Sequence, residues 1–240
     1  MIIYGRNPVR EALRGRRAHG VSTVWAAGGA AREPWLEGVR VSRAGAAEIE
    51  ARCGSEAHQG ICAEAGSYPY VGAGELLALQ SPLLVVLDQV QDPQNLGSIC
   101  RTAECAGVAG VVIAERRAAE VTPSVCKASA GAVEHLRIAR VRNIADFLIE
   151  ARQAGCWSYG ASAEAQGARR PVPYDAPDYG GAGTILVLGS EGAGLRPRVA
   201  GACDELIALP LLGRVGSLGV AAAASALLYE ILQKRLDRAS

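Results

Sequence analysis

The feature that most constrains this chain is a set of short, unbroken apolar runs separated by helical patterns. Pro82-Leu-Leu-Val-Val-Leu87, Val108 to Ala114 and Ile185-Leu-Val-Leu188 are too short for an ordinary helix and show no polar alternation. A strand without a polar face must be covered on both sides, the condition met in parallel sheets flanked by helices. Between the runs the spacing becomes helical: Leu96, Ile99, Cys100, Ala103 and Ala106 form one stripe, with Asn95 as the expected cap and Gly107 as the stop. Further helices are expected over 122–132 and 144–154, and strands over 135–141 and 156–160. From residue 82 onward, strand and helix alternate, which predicts an α/β domain with a mostly parallel, doubly covered sheet.

Two strands empty into glycine-rich loops. Ile185 to Leu188 leads into Gly189-Ser-Glu-Gly-Ala-Gly-Leu195. A second strand over 205–210 ends at Pro210, which has no N–H for a ladder, and leads into Leu211-Leu-Gly-Arg-Val-Gly-Ser-Leu-Gly219. After it Val220, Ala224, Leu227, Leu228, Ile231 and Leu232 share one helix face, with basic residues gathered at the carboxyl end. Ligands bind at the carboxyl ends of parallel strands, so two such loops suggest one shared pocket. The plainer alternative, turn glycines and a solvated Glu191, is equally open from spacing alone. Arg101 lies off the buried stripe of its helix, either as a cation facing that pocket or as a surface arginine.

The first 66 residues read as a separate small α/β unit. Gly5 to Gly15 has helical spacing, with Asn7 as the expected cap and Pro8 at the first position, and strands are expected at 21–26, 39–41 and 60–65. Arg6, Arg10 and Arg14 recur every fourth residue on the polar face, as a solvated stripe or as a phosphate-contacting one. The net charge of the whole chain is +1, yet residues 1–43 hold eight Arg against three Glu, so a local basic face is expected. Gly66-Ser-Tyr-Pro-Tyr-Val-Gly-Ala-Gly74 interrupts both periods. The expected division is therefore 1–66, a linker over 67–81, and a larger domain over 82–240.

Several chemistries are disfavoured. The seven cysteines include no C-x-x-C pair and several lie in apolar runs, which suggests reduced core residues, a cytoplasmic location and no zinc site. His19, His58 and His135 have no metal-ligand spacing. No phosphate-binding G-x-x-x-x-G-K-[ST], no dinucleotide G-x-G-x-x-G and no G-x-S-x-G nucleophile turn occurs. No apolar run approaches the length of a membrane span, and no membrane partner is expected.

Three ordered segments, Asn95-Leu-Gly-Ser-Ile-Cys-Arg-Thr-Ala103, Leu186-Val-Leu-Gly-Ser-Glu-Gly-Ala-Gly-Leu195 and Leu209-Pro-Leu-Leu-Gly-Arg-Val-Gly-Ser-Leu-Gly-Val220 with Leu228-Tyr-Glu230, resemble the three motifs of the SpoU (TrmH-like) branch of the SPOUT RNA 2′-O-ribose methyltransferases. Ile3-Tyr-Gly5, His58-Gln-Gly60 and Lys127-Ala-Ser-Ala-Gly-Ala132 resemble further segments of that branch, closest to its ribosomal RNA guanosine enzymes. The resemblance implies a catalytic domain with a C-terminal trefoil knot and a parallel sheet, an N-terminal L30e-like RNA-binding domain, and a homodimer. It implies S-adenosylmethionine as cofactor, held by Gly189, Gly192, Ile207, Leu209 and Leu218, with Asn95, Arg101, Glu191 and Ser217 around the reacting ribose. RNA is the implied partner, ribosomal RNA first and transfer RNA second. One motif departs: the family's Ser-Leu-Asn-Val-Ser reads Ser217-Leu218-Gly219-Val220-Ala221 here. That loss of an amide and a hydroxyl leaves a weakly catalytic RNA-binding relative as the alternative.

Overall fold

In the computed structural model, which describes residues 1–239, the chain opens with β1 (Ile2–Tyr4), α1 (Arg6–Arg14), β2 (Val21–Ala26), β3 (Val41–Arg43), α2 (Ala46–Cys53) and β4 (Ile61–Ala65). The sheet runs β1-β4-β2-β3. Its β4 is antiparallel to both neighbours and β3 joins β2 in parallel. Helix α1 turns Pro8, Val9 and Ala12 inward and leaves Arg6 and Arg14 exposed. Asn7 does not cap it. The helix is entered from Gly5 at φ 97, and Gln59 Oε1, from a distant loop, accepts the Arg6 N–H at 3.0 Å.

There follow α3 (Ala73–Leu77), β5 (Leu83–Asp88), α4 (Pro93–Cys105), β6 (Gly110–Ala114), α5 (Pro123–Ala128), β7 (Ile138–Val141), α6 (Ile144–Gln153), β8 (Trp157–Ala161), β9 (Val172–Pro173), β10 (Thr184–Gly189), α7 (Pro197–Ala202), β11 (Glu205–Ala208) and α8 (Val220–Ala239). By contacts the chain divides into one unit of Met1–Pro69 with Glu120–His135, and a second unit of Tyr70–Ala119 with residues from Leu136 onward. The second sheet runs β7-β6-β5-β10-β8-β11-β9 with every pair parallel. All of β5 and β6 is buried, as strands covered on both faces require. The late strand β10 lies between β5 and β8, so three carboxyl-end loops, after β8, β10 and β11, gather at one edge of the sheet.

The start of α4 differs from expectation. Asp92, not Asn95, is the cap: its Oδ1 accepts the Gln94 N–H at 3.0 Å, and Pro93 occupies the first helical position. Asn95 is thereby the third helical residue, with its side chain free for other work. In the linker stretch, where a short helix over 75–79 is expected, α3 starts two residues earlier. Val71 bridges to Ala139, and Leu76 is fully buried in the second unit's core.

Segment Glu120–His135 belongs to the first unit's interior. Glu134 is fully buried and accepts Arg17 Nε at 2.8 Å, with a second, shorter bond from Nη2. Arg17 also donates to the Gly66 carbonyl at 3.1 Å, and its guanidinium lies 5.6 Å from the Tyr68 ring. The Tyr68 hydroxyl donates to the Val133 carbonyl at 2.8 Å. A buried ion pair offsets its desolvation only when its remaining donors are satisfied, and here they are.

Candidate active site

The site is built where β8, β10 and β11 end. Strand β10 delivers Gly189, register partner of Asp88 on β5, and the chain then folds back on itself. Ser190 N–H donates to the Gly194 carbonyl at 3.1 Å, and Gly194 N–H donates to the Ser190 carbonyl at 2.9 Å. The approach is so close that a Cβ on Gly189 would lie 2.1 Å from the Gly194 carbonyl carbon, so only glycine fits. Asp88, fully buried, fastens the far end of this loop: its Oδ2 accepts the Arg196 N–H at 3.0 Å and its Oδ1 accepts Arg196 Nε at 2.8 Å. Leu195, 2% exposed, sinks into the core beside Gly160.

The loop after β8 forms a second wall with Ser162, Ala163, Glu164 and Gln166. Ser162 N–H donates to the Ile207 carbonyl at 3.0 Å. Arg169 holds the far side by donating to the carbonyls of Ala200, Cys203 and Asp204 at 2.7, 2.9 and 2.8 Å. The third wall is Leu209 to Gly219. Gly219 sits at φ 74, and the Glu191 carboxylate is 3.5 Å from where its Cβ would be, so the two glycine loops meet at this point.

Together the loops enclose a cleft of about 470 Å³, within the range of roughly 300–1,000 Å³ common for small-molecule sites. Its floor is apolar, from Leu188, Ile207, Leu209, Val220 and Leu227, and its rim carries Glu164, Glu191 and Ser217. Such a lining suits a ligand with a flat aromatic ring at one end and a cationic centre at the other. An apolar ring would gain from burial there, and the two carboxylates would attract a positive charge.

Of the residues singled out in the sequence, Gly189, Glu191, Gly192, Ile207, Leu209, Ser217 and Leu218 line this cleft. Asn95 and Arg101 do not line it; they lie on α4, which is pinned to α8 by a 3.0 Å hydrogen bond between Thr102 Oγ1 and Ser225 Oγ. Because α8 starts directly after Gly219, the second glycine loop and α4 share that support. Arg101 is exposed, and its guanidinium makes no hydrogen bond or ion pair among the described residues. In the first unit the arginine stripe is partly engaged: Arg6 pairs with Glu33 at 2.8 Å and Arg10 with Glu11 at 2.6 Å, while Arg14 is exposed. Asp88 and Arg169 went unnoticed in the sequence, although an aspartate closing a wholly apolar strand is itself a signal. Among the described residues no group of His, Cys, Asp and Glu could hold a metal ion, and no helix is long and apolar enough to cross a membrane.

Comparison with known proteins agrees with this geometry. Residues 82–229 match the SpoU rRNA Methylase family, and residues 2–71 match the domain described as RNA 2′-O ribose methyltransferase substrate binding. The chain is 41% identical over 183 residues to YacO of Bacillus subtilis, whose name assigns it to the TrmH family of tRNA/rRNA methyltransferases; the match covers 74% of this chain and 71% of that one. A Staphylococcus haemolyticus protein with the same family name is 32% identical over 247 residues, 98% of this chain and 96% of its own. Among solved structures, the SpoU methyltransferase AviRb from Streptomyces viridochromogenes, in complex with the cofactor AdoMet, superposes with a TM-score of 0.79 at 25% identity, over 99% of this chain and 91% of that one.

Proposed function

The chain belongs to the SpoU rRNA Methylase family, and we propose that its substrate is a ribose 2′-hydroxyl of ribosomal RNA, a large-subunit guanosine in the narrowest form of the reading. It is an S-adenosylmethionine-dependent RNA methyltransferase with the parallel, trefoil-knotted SPOUT fold. The observation that carries the proposal is the convergence of two glycine loops on one cleft, with Glu191 against Gly219 and Ser217 on the rim. When bound, S-adenosylmethionine supplies an electrophilic methyl group on a cationic sulfur.

The remaining work falls to side chains. The ribose oxygen must be held in line with the methyl group and must lose a proton, and orientation supplies most of the rate. Asn95, Glu191 and Ser217 orient the hydroxyl. A guanidinium is a poor base near neutrality, which argues against Arg101 in that role. It serves instead to bind the adjacent phosphate and to stabilise negative charge developing on the oxygen, with the proton passing to a neighbour or to water. Gly192, Ile207, Leu209 and Leu218 contact the cofactor. Arg6, Arg10 and Arg14 contact RNA phosphates, with Arg6 exchanging Glu33 for the nucleic acid. Two chains associate through the exposed apolar residues Leu212, Val215, Tyr229 and Leu236, which are 98%, 75%, 52% and 54% exposed.

The test is transfer of labelled methyl groups to unmodified ribosomal RNA and to bulk transfer RNA, with the product mapped to a nucleotide. Incorporation at a ribose of ribosomal RNA is expected. Incorporation confined to transfer RNA, or into a base, overturns the proposal. Arg101→Ala should lower transfer by at least about 100-fold while leaving cofactor affinity within about twofold; an equal loss of both would assign Arg101 to cofactor binding instead.

A further inference from the structure

Three short segments that the active site does not use meet in the first unit: residues 4–7, 58–60 and 127–131. At their meeting point the Lys127 ammonium lies so near Gly5 that a Cβ there would fall 2.7 Å from Nζ and 3.1 Å from Gln59 Oε1. The same ammonium lies 6.0 Å from the centre of the Tyr4 ring. Gln59 Oε1 is committed to the Arg6 N–H, and the amide N–H groups of the same side chain make no hydrogen bond among the described residues.

Lys127 is half-buried, and burial pulls its pKa down, yet it makes no hydrogen bond or ion pair among the described residues. The carboxylates of the neighbouring segments are paired with other groups. Glu11, whose Cβ would lie 2.7 Å from a Cβ on Gly131, gives its carboxylate to Arg10 and His135, Glu134 gives its own to Arg17, and Glu33 pairs with Arg6. A partly desolvated cation without a counter-ion is costly unless an anion arrives from outside. Composition adds an independent argument. The chain has 25 basic residues of which only Lys127 and Lys234 are lysine. A lysine sits here in a gap above Gly5 that suits a compact ammonium and not a planar guanidinium.

We infer that Lys127, with the Gln59 amide, forms an anion site on the first unit that takes one backbone phosphate of the substrate RNA. The inference rests on the reading of the whole protein as an RNA methyltransferase, and it adds a contact outside both the arginine stripe and the cleft.

The experiment measures binding of the full chain to an unmodified ribosomal RNA transcript over a series of salt concentrations. Lys127→Gln should raise the RNA Kd about 10-fold and reduce the slope of log Kd against log salt by about 0.7–0.9, one phosphate contact. Its cofactor affinity, read by isothermal titration, should stay within twofold, which also shows that the variant is folded. Gln59→Glu supplies a second arm: it keeps the oxygen that bonds Arg6 N–H but sets a carboxylate against Lys127, and it should weaken RNA binding comparably. An unchanged Kd and salt slope in both variants would overturn the site alone. A parent protein that binds neither ribosomal nor transfer RNA would overturn the functional reading beneath it.

Discussion

The two glycine loops bound the same cleft, but they are held in different ways. Gly189 to Leu195 is closed by its own Ser190–Gly194 pair and fastened by the Asp88 carboxylate through Arg196, with Leu195 buried as a plug. Leu211 to Leu218 has none of these devices: no residue in it makes a hydrogen bond or ion pair among the described residues, and Leu212 is 98% exposed. One wall is preformed by the chain, and the other offers groups that gain partners only when something docks. For a methyltransferase this separates two tasks. On the reading proposed above, the closed wall would hold its side of the cofactor at little entropic cost, while the second wall would adjust as ligands dock.

Breaking the rigid wall should have the largest effect. Gly189→Ala drives a methyl into the Gly194 backbone and should weaken cofactor binding about 100-fold, equivalent to roughly 3 kcal/mol, as read by isothermal titration. Asp88→Asn keeps the shape but loses the charged partner of Arg196; it should cost about 1.5–3 kcal/mol in urea unfolding and weaken cofactor binding about 10-fold. Gly219 tests the hinge between the walls. Its φ of 74 is tolerated best by glycine and asparagine, so Gly219→Asn should keep cofactor affinity within threefold, whereas Gly219→Val should lose about 1–2 kcal/mol from strain. If the valine variant matched the asparagine one in affinity and unfolding, the backbone at 219 would be irrelevant to the site. On the second wall, Leu212→Ser should change unfolding free energy by less than about 0.5 kcal/mol while weakening chain association in sedimentation experiments; a marked loss of stability would mean the loop is internally supported after all.

A last, smaller effect lies away from both loops. Burial alone would raise the Glu11 carboxyl, but hydrogen bonds from His135 and Arg10 outweigh it and hold the pKa below its ordinary value. A depressed carboxylate stabilises the fold above its unfolded pKa, and that contribution is lost as pH falls through the folded value. Glu11→Gln should therefore be less stable than the parent at pH 7, with the gap closing as the pH is lowered through the carboxylate range. A gap independent of pH would remove the charge from the explanation.

Much of the second unit was legible because its strands are buried on both faces, so apolar runs marked them directly, and β5, β6 and β10 differ from expectation only at their ends. The helix starts were harder. Asn7 and Asn95 have the right side chains for caps, but Gln59 and Asp92 do the work, one from 53 residues away. Asp92 before Pro93 was a local signal that outranks Asn95. The cleft itself was half legible: the glycine loops announced it, whereas Asp88–Arg196, 108 residues apart, and the Arg169 staple depend on tertiary approach that no local pattern encodes. The short helix α7 was missed because six residues hold too little periodicity to read.

The excursion of Glu120–His135 into the first unit has a consequence for how this protein can be cut and recombined. A chain severed near residue 70 would not yield two finished halves. The amino-terminal piece would keep Arg17 buried without Glu134, and the carboxyl-terminal piece would carry Glu134, Cys126 and Val133 as an interior with nothing to enclose it. Exchange of the first unit between relatives therefore requires two grafts, the first 69 residues together with the sixteen-residue segment that completes their core.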